Sequence, residues 1–244
     1  MITLPDNQLY YLHNVLTFIM LTVCIVLCYT GYKLQNITYK KYISIGIIAF
    51  CMIQEVLDYL NRIYFDELYS ISLAVDLPLQ LCSIGFYLSI FGIIMAFSSY
   101  QFNEKFEQFI FDCTYVLGFG GAFQALITVD LTGVNNMIGI FSLNWAHSLI
   151  ILNVLWLIFA YHKRFNVRSI INAFLFLNFL ILPVGFINYI LDANYIFLCS
   201  PPNVESSFFI GNWPYYLFYL EGIYFIYIIF LYMPFLLLNK LNNK

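Results

Sequence analysis

Seven long apolar stretches constrain the fold of this chain more than any other feature. They lie near 12–32, 43–62, 77–97, 109–128, 140–161, 168–191 and 214–237. Each is close to the roughly 20 residues that a helix needs to cross a bilayer, and none shows the alternating pattern of a membrane barrel strand. Because hydrocarbon leaves no partner for free backbone groups, continuous runs of this length form helices. The sequence therefore predicts an all-α polytopic bundle of seven transmembrane helices.

The composition agrees with an integral membrane protein. Hydrophobic residues make up 62% of the 244 residues and charged residues only 9%, which is too little charge to solvate the surface of a soluble protein. The longest predicted connection runs from about 192 to 213 and is too short for a separate domain. We therefore expect a single transmembrane domain over 1–244, with 192–213 as an outer-face loop and a candidate lid.

The basic residues predict the orientation. Of the ten Lys and Arg residues, nine fall on one side of the seven-span arrangement: Lys33, Lys40, Lys41, Lys105, Lys163, Arg164, Arg168, Lys240 and Lys244. Only Arg62 falls on the other side. Because cytoplasmic loops are enriched in Lys and Arg, we expect the N-terminus outside, the C-terminus in the cytoplasm and an odd number of spans. An arrangement with six spans would break this pattern.

The polar residues inside the predicted spans form a layer near the outer face. At 1.5 Å per helical residue they lie roughly 6–11 Å below the outer boundary. They come from six spans: Glu55, Asp58, Cys82, Gln124, His147, Asn188 and Glu221. Such residues usually face a bundle interior or a cavity. The layer predicts a polar pocket that opens toward the outer leaflet.

The acidic and amide members of this layer also have structural interpretations. Arg62 follows Asp58 by four residues, so the two can form an ion pair on one helix face. Glu55 has no such local partner, which favours a protonated carboxyl or a site residue, and the same reasoning favours a pocket role for Glu221. Gln124 and Asn188 are typical of residues that form hydrogen bonds between membrane helices.

Cys82 is either a small packing residue or a nucleophile. Its helical spacing with Gly85 and Ser89 is typical of a packing face. However, Asp76 is placed to cap the helix and Pro78 suits its first turn, so Cys82 lies near the positive end of the helix dipole. Gln80 points almost oppositely, so either it contacts another helix or the helix starts irregularly.

His147 is the one histidine of three that lies well inside a span. An isolated case is typically a hydrogen-bonded core imidazole. Together with Cys82 it would form a thiol–imidazole pair, in which His activates the thiol and carries its proton, and a carboxylate such as Glu221 would orient the ring. One His and one Cys do not fill a zinc shell, so we expect no metal and no cofactor.

Several short motifs resemble those of one family. They are Asp76-Leu77-Pro78-Leu79-Gln80-Leu81-Cys82-Ser83, then Gly121-Ala122-Phe123-Gln124-Ala125-Leu126 running to Asp130, His147, Asn194-Tyr195-Ile196-Phe197-Leu198 with Pro201-Pro202, and Trp213-Pro214-Tyr215-Tyr216. In this order and spacing, over about residues 50–235, the chain resembles the YwaF-like bacterial membrane proteins, which are relatives of animal transmembrane protein 164.

This resemblance implies a seven-helix protein of the bacterial plasma membrane. By analogy with the animal relative it also implies a phospholipid acyltransferase that passes an acyl chain through a cysteine, with Cys82 as nucleophile and His147 as base. One residue departs from the family motif, because Gln80 stands where the family has a histidine before Leu-Cys. The candidate substrate-binding residues are Glu55, Asp58, Gln80, Gln124, Asn188, Asn194 and Trp213.

Three hypotheses follow from these patterns. The first is a thiol-dependent lipid acyltransferase or acyl hydrolase, in which Cys82 and His147 act with Glu221 or Glu55 on membrane lipid. The second is a protein that binds or transports a small solute or lipid without catalysis. The third is a structural scaffold in which the polar layer only joins helices. All three place the chain in a lipid bilayer, and none involves nucleic acid.

Overall fold

The computed structural model of the chain describes residues 6–129, 131, 134–202 and 209–242. Asp130, residues 203–208 of the candidate lid and Lys244 lie outside the described residues. The helices are α1 (Asp6–Lys33), α2 (Ile37–Leu60), α3 (Leu81–Phe97), α4 (Glu104–Leu117), α5 (Met137–Phe159), α6 (Val167–Leu191) and α7 (Tyr215–Asn242). The prediction of an all-α fold is confirmed over these ranges.

Two of the helices continue through wider π-helical turns. One such turn, Asn61–Phe65, extends α2, and another, Gly118–Ala122, joins α4 to the short helix Phe123–Ile127. With these extensions, six helical stretches within the described residues are long and apolar enough to cross a membrane: Gln8–Lys33, Ile37–Phe65, Glu104–Ile127, Met137–Phe159, Val167–Leu191 and Tyr215–Leu238. The chain is therefore a multi-pass membrane protein. A further apolar helix, α3, has 17 residues and is shorter than each of these six stretches.

Asparagine caps explain where four of the helices begin. The side chains of Asn36, Asn103, Asn136 and Asn166 accept hydrogen bonds from backbone N–H groups in the first turns of α2, α4, α5 and α6. These N–H groups have no acceptor within their own helix, and an asparagine before the first turn is among the best substitutes. Each cap therefore sets the boundary of an apolar stretch.

The start of α3 differs from the prediction. The helix begins at Leu81 rather than near residue 77. The carboxylate of Asp76 does not cap it, because it accepts hydrogen bonds from Tyr69 Oη at 2.6 Å and Ser72 N at 2.8 Å and pairs with Arg62 at 2.7 Å. Residues 66–80 therefore form a loop. As a consequence, Cys82 lies in the first turn of α3, where the helix dipole acts most strongly.

Helix α5 is the centre of the bundle and packs against α1, α2, α3 and α4. Its Trp156 and Val154 are fully buried. Close packing requires a glycine at Gly118, because a Cβ there would lie 2.6 Å from Val154 Cγ2. The glycines of the π-helical turn thus allow α4 to approach α5.

Polar side chains join α2 and α3 to α5 inside the bundle. Asn153 Nδ2 donates to Ser89 Oγ of α3 at 2.8 Å, and Trp156 Nε1 donates to Ser44 Oγ of α2 at 2.9 Å. Bonds of this kind are worth about 0.6 kcal/mol on average between membrane helices. They fix the rotation of α2 and α3 about their axes, and with it the direction in which Cys82 points.

A buried carboxylate connects α4 to the peripheral helix α6. Asp112 is fully buried and accepts from Gln108 Nε2 at 2.7 Å and from Asn172 Nδ2 at 2.8 Å. Both carboxylate oxygens are thus satisfied by neutral donors, which offsets much of the desolvation cost. Asp112 anchors α6, which also packs against α7 and the Tyr195–Phe197 turn.

Candidate functional site

The packing of α3 against α5 brings the Cys82 thiol and the His147 imidazole close enough to interact. Both side chains are partly exposed. The Nδ1 atom of His147 lies 2.8 Å from the carbonyl oxygen of Leu143. Because a carbonyl only accepts, we assign the ring proton to Nδ1, which leaves Nε2 as the acceptor for the thiol.

The first turn of α3 presents backbone N–H groups near the sulfur. The first helical bond of α3 runs from Ile84 N to Gln80 O at 3.0 Å, so the N–H groups of Cys82 and Ser83 precede it. Ser83 lies next to the sulfur and interacts with it. These donors and the helix dipole favour negative charge on the sulfur or on an adjacent oxygen.

Gly121 forms part of the wall around Cys82. An ideal Cβ on Gly121 would lie 3.8 Å from the Cβ of Cys82. The glycine therefore keeps side-chain bulk away from the nucleophile candidate. The sequence motif that contains Gly121 does not reveal its contact with Cys82, because this contact depends on the rotation of the π-helical turn.

The position of Gln80 is explained by a contact with the connection between α6 and α7. Its Oε1 accepts a hydrogen bond from Ile196 N at 3.1 Å. The side chain thus contacts the Tyr195–Phe197 turn rather than another long helix, and α3 starts later than predicted. Gln80 does not engage His147, whose ring contacts are Leu143 O and Cys82.

Glu55 and Asp58 belong to a separate group. Asp58 pairs with Arg62 at 2.6 Å, which confirms the ion-pair interpretation, and it accepts from Ser142 Oγ at 2.9 Å. Glu55 accepts from the hydroxyl of Tyr87 on α3. That partner is 32 residues away, and local spacing does not reveal it. These partners account for the positions of both acids without any contact to Cys82.

The candidate residues of the α6–α7 connection hold this connection in place. Asn188 is buried and bonds to both backbone groups of Tyr195, at 2.9 Å and 2.8 Å. Asn194 Nδ2 donates to Ser200 O at 2.9 Å, and Trp213 Nε1 donates to Leu198 O at 3.0 Å. These three residues have structural roles in the described part of the loop.

Gln124 and Glu221 lie apart from these contacts. Gln124 is exposed, and Glu221 is partly exposed. Within the described ranges the Glu221 carboxylate has no hydrogen bond or ion pair, so the expectation that it orients the imidazole is corrected: Leu143 O does so. The predicted single pocket divides into a Cys–His pair, an acid–arginine group and an outer-loop group.

A polar seam between α2 and α5 was missed by the sequence analysis. Gln54, Asn61 and Asn136 are at least 96% buried, and among the described residues Gln54 Oε1, Asn61 Oδ1 and Asn136 Nδ2 have no hydrogen-bond partner. Gln54, Asp58 and Asn61 share one helix face by their spacing, so periodicity was a signal for this seam. The seam carries two free acceptors and one free donor.

Two cavities lie away from the Cys–His pair. A groove of about 270 Å³ on α2 is lined by Met52, Ile53, Val56 and Leu57. A void of about 10 Å³ is lined by residues of α3, α4 and α5 together with Lys163. Over the described ranges, no cluster of three or more His, Cys, Asp or Glu side chains is arranged to hold a metal ion.

Comparison with known proteins adds one finding. The family model of the TMEM164 family matches residues 6–232. This range spans α1 to α6 and most of α7, and it includes Cys82 and His147. No curated protein and no solved structure matches the chain.

Proposed function

The chain belongs to the TMEM164 family, and from this premise we propose that it is a thiol-dependent acyltransferase or acyl hydrolase acting on membrane phospholipid. The observation that carries the proposal is the interaction of the Cys82 thiol with the neighbouring His147 imidazole. A nucleophile beside a base, with the base oriented by a third group, is the arrangement used for covalent acyl transfer. Leu143 O is that third group here.

The proposed topology has seven crossings with the N-terminus outside, in a bacterial plasma membrane as the YwaF-like resemblance implies. Helix α3 has 17 residues, or about 26 Å at 1.5 Å per residue. This is slightly shorter than the roughly 30 Å hydrocarbon core, and local bilayer thinning accommodates such a difference. The distribution of Lys and Arg supports the odd number of spans.

In the first step, His147 Nε2 takes the proton from the Cys82 thiol as Sγ attacks the ester carbonyl carbon of a phospholipid. The carbonyl oxygen becomes an oxyanion, and the N–H groups of the first turn of α3 are placed to stabilise it. The ester C–O bond then breaks. The lysolipid oxygen takes the proton from the imidazolium, and the acyl group remains on sulfur as a thioester.

In the second step, an acceptor hydroxyl replaces the lysolipid. His147 Nε2 takes its proton while the oxygen attacks the thioester carbonyl carbon. The C–S bond breaks, the thiolate takes the proton from His147, and the acylated acceptor leaves. With a lipid hydroxyl as acceptor the reaction is acyl transfer, and with water it is hydrolysis.

The test is turnover of a phospholipid with a labelled acyl chain by the purified protein in lipid nanodiscs. We expect Cys82→Ala and His147→Ala to lose turnover. Cys199→Ala is the matched control, because Cys199 is a free and exposed cysteine and its loss leaves the pair intact. Turnover that persists in Cys82→Ala at the wild-type rate contradicts the proposal.

The α2–α5 seam supports a second candidate function, the binding or transport of a small polar solute without catalysis. Its free buried groups are two acceptors and one donor, which matches a solute that carries hydroxyl or amide groups. This function predicts saturable thermal stabilisation of the protein by such a solute, lost in Gln54→Leu and retained in Cys82→Ser. Equal stabilisation of the Gln54→Leu variant excludes the seam as the site.

A further inference from the structure

The turn that follows α6 has unusual backbone geometry. Ile196 and Phe197 have φ values of 59° and 54°, which lie in the left-handed region. The Cβ of an L residue approaches the following carbonyl oxygen in this region, and a β-branched residue such as isoleucine rarely adopts it. Such a turn persists only when its surroundings hold it in place.

Several contacts supply that support. Tyr195 Oη donates to Leu73 O at 2.8 Å and accepts from Leu77 N at 2.9 Å. On the other side, Tyr216 Oη of α7 donates to Phe197 O at 2.5 Å. The turn is therefore fastened to the loop that precedes α3 and to the start of α7.

Gln80 adds the contact closest to the candidate nucleophile. It is the residue before the first turn of α3, its side chain makes no capping bond to that helix, and its Oε1 accepts instead from Ile196 N at 3.1 Å. Cys82 follows two residues later. One amide oxygen thus links the strained turn directly to the helical turn that carries the thiol.

We propose that Gln80 is a positioning residue that holds the Tyr195–Phe197 turn against the start of α3, so that this turn restricts access of the acyl substrate to Cys82. The substrate in this inference rests on the proposed function. The effect on access to the Cys82 thiol does not depend on it.

The first test measures the rate at which a bulky maleimide modifies Cys82, in a Cys199→Ala background, by peptide mass spectrometry. In Gln80→Asn the shorter side chain cannot reach Ile196 N, and in Gln80→Leu the acceptor is absent. We expect both variants to react about fivefold faster. Loss of one hydrogen bond increases by about this factor the population in which the Tyr195–Phe197 turn is displaced from the start of α3. Gln80→Glu keeps an acceptor and is expected to stay near the wild-type rate.

Ser200→Ala is the matched control, because it removes one side-chain hydrogen bond, to Asn194 Nδ2, within the same loop but no contact to Ile196. Its rate is expected to equal that of the starting protein. Wild-type rates in both Gln80→Asn and Gln80→Leu, or a Gln80→Glu rate as high as theirs, overturn the inference. Gln80→Asn also guards against loss of folding, since asparagine is a favourable residue before a helix.

The second test separates KM from kcat for phospholipid. We expect Gln80→Asn to lower KM about fivefold, because access to Cys82 increases by the same factor. We expect Gln80→Glu to keep KM near the wild-type value. If the wild-type protein shows no turnover, the proposed function fails, while the maleimide rates still decide the role of Gln80. An unchanged KM in an active Gln80→Asn variant contradicts the inference.

Discussion

The proton on Nδ1 of His147 determines what Cys82 can do. With Nδ1 bonded to Leu143 O, Nε2 is free to accept the thiol proton and later return it. A glutamine at this position can accept a hydrogen bond, but it cannot carry a proton. The variant His147→Gln therefore separates hydrogen bonding by this side chain from proton transfer by it.

We predict that His147→Gln lowers the rate of lipid turnover by about 10²- to 10⁴-fold, the usual contribution of a positioned base, while the protein still folds. The measurement is turnover of labelled phospholipid alongside thermal unfolding. His162→Gln serves as the control, because His162 is exposed near the end of α5. An equal loss of turnover in the two variants would contradict a specific role of His147 in proton transfer.

The sequence predicted residue pairs where spacing along one helix decides the contact. Asp58 and Arg62 are four residues apart, and they pair. By contrast, Glu55 with Tyr87 and Gln80 with Ile196 come from different segments. These contacts depend on helix rotation and loop path, which residue spacing does not encode. The similar depth of Cys82 and His147 suggested their pairing, and depth is readable from span boundaries.

At the scale of helices, apolar length located α1 to α7, whereas the Asn caps that set the starts of four of them were not part of the prediction. The start of α3 was wrong because Leu77, Pro78 and Leu79 are compatible with a helical first turn. The bonds of Asp76 to Arg62 and Tyr69 hold this segment as a loop instead. Such long-range bonds override the local signal.

The π-helical turn of α4 provides a matched pair of glycine substitutions. A Cβ on Gly121 would make an ordinary contact at 3.8 Å, whereas a Cβ on Gly118 would lie 2.6 Å from Val154 Cγ2. We predict that Gly121→Ala raises the free energy of unfolding by up to about 1 kcal/mol through helix propensity. Gly118→Ala is expected to lower it by about 1–3 kcal/mol through overpacking.

Thermal or denaturant unfolding in detergent measures both changes. If Gly121→Ala destabilises the protein as much as Gly118→Ala does, the predicted difference between the two sites is contradicted. A further variant, Gly121→Leu, places bulk beside Cys82 and is expected to reduce turnover without the loss of stability seen for Gly118→Ala.

The loop before α3 makes stability depend on pH. Burial of Asp76 acts to raise its pKa, but hydrogen bonds from Tyr69, Ser72 N and Arg62 outweigh burial and lower the pKa below its usual 3.8. A group whose pKa is lowered by folding stabilises the protein above its unfolded pKa, and this contribution is lost as pH falls through the folded pKa.

We predict that Asp76→Asn lowers the free energy of unfolding by about 1–3 kcal/mol at pH 7, the usual cost of breaking charged hydrogen bonds. The difference from wild type should shrink below about pH 4, near the ordinary Asp pKa. Unfolding curves at several pH values test this. A difference that stays constant down to pH 3 would contradict the role of the ionised carboxylate.

For the whole molecule, the proposed topology depends on the charge distribution and on whether α3 crosses the membrane. The loop before α3 and the connection 98–103 after it lie on opposite sides of the membrane only if α3 crosses. We predict that an impermeant thiol reagent labels Cys199 on intact cells. A Tyr100→Cys variant in a Cys199→Ala background should be labelled only after permeabilisation. Labelling of both positions from outside would contradict a crossing by α3.

The polar layer was predictable as a set of similar depths along the helices, but its division into three groups was not. Two of the groups stabilise the loop 66–80 and the connection between α6 and α7 through hydrogen bonds and ion pairs. The Cys82–His147 pair remains as the candidate reactive centre, and the acyl-transfer account rests on a covalent intermediate at its sulfur.

The most direct test of this account is the mass of the Cys82 peptide after brief incubation of the protein with phospholipid and rapid quenching in acid. The account predicts a mass increase equal to one acyl chain, removed by neutral hydroxylamine as a thioester should be, and greatly reduced in His147→Gln. An unmodified Cys82 in a preparation that turns over lipid, or acylation at another residue in its place, would contradict it.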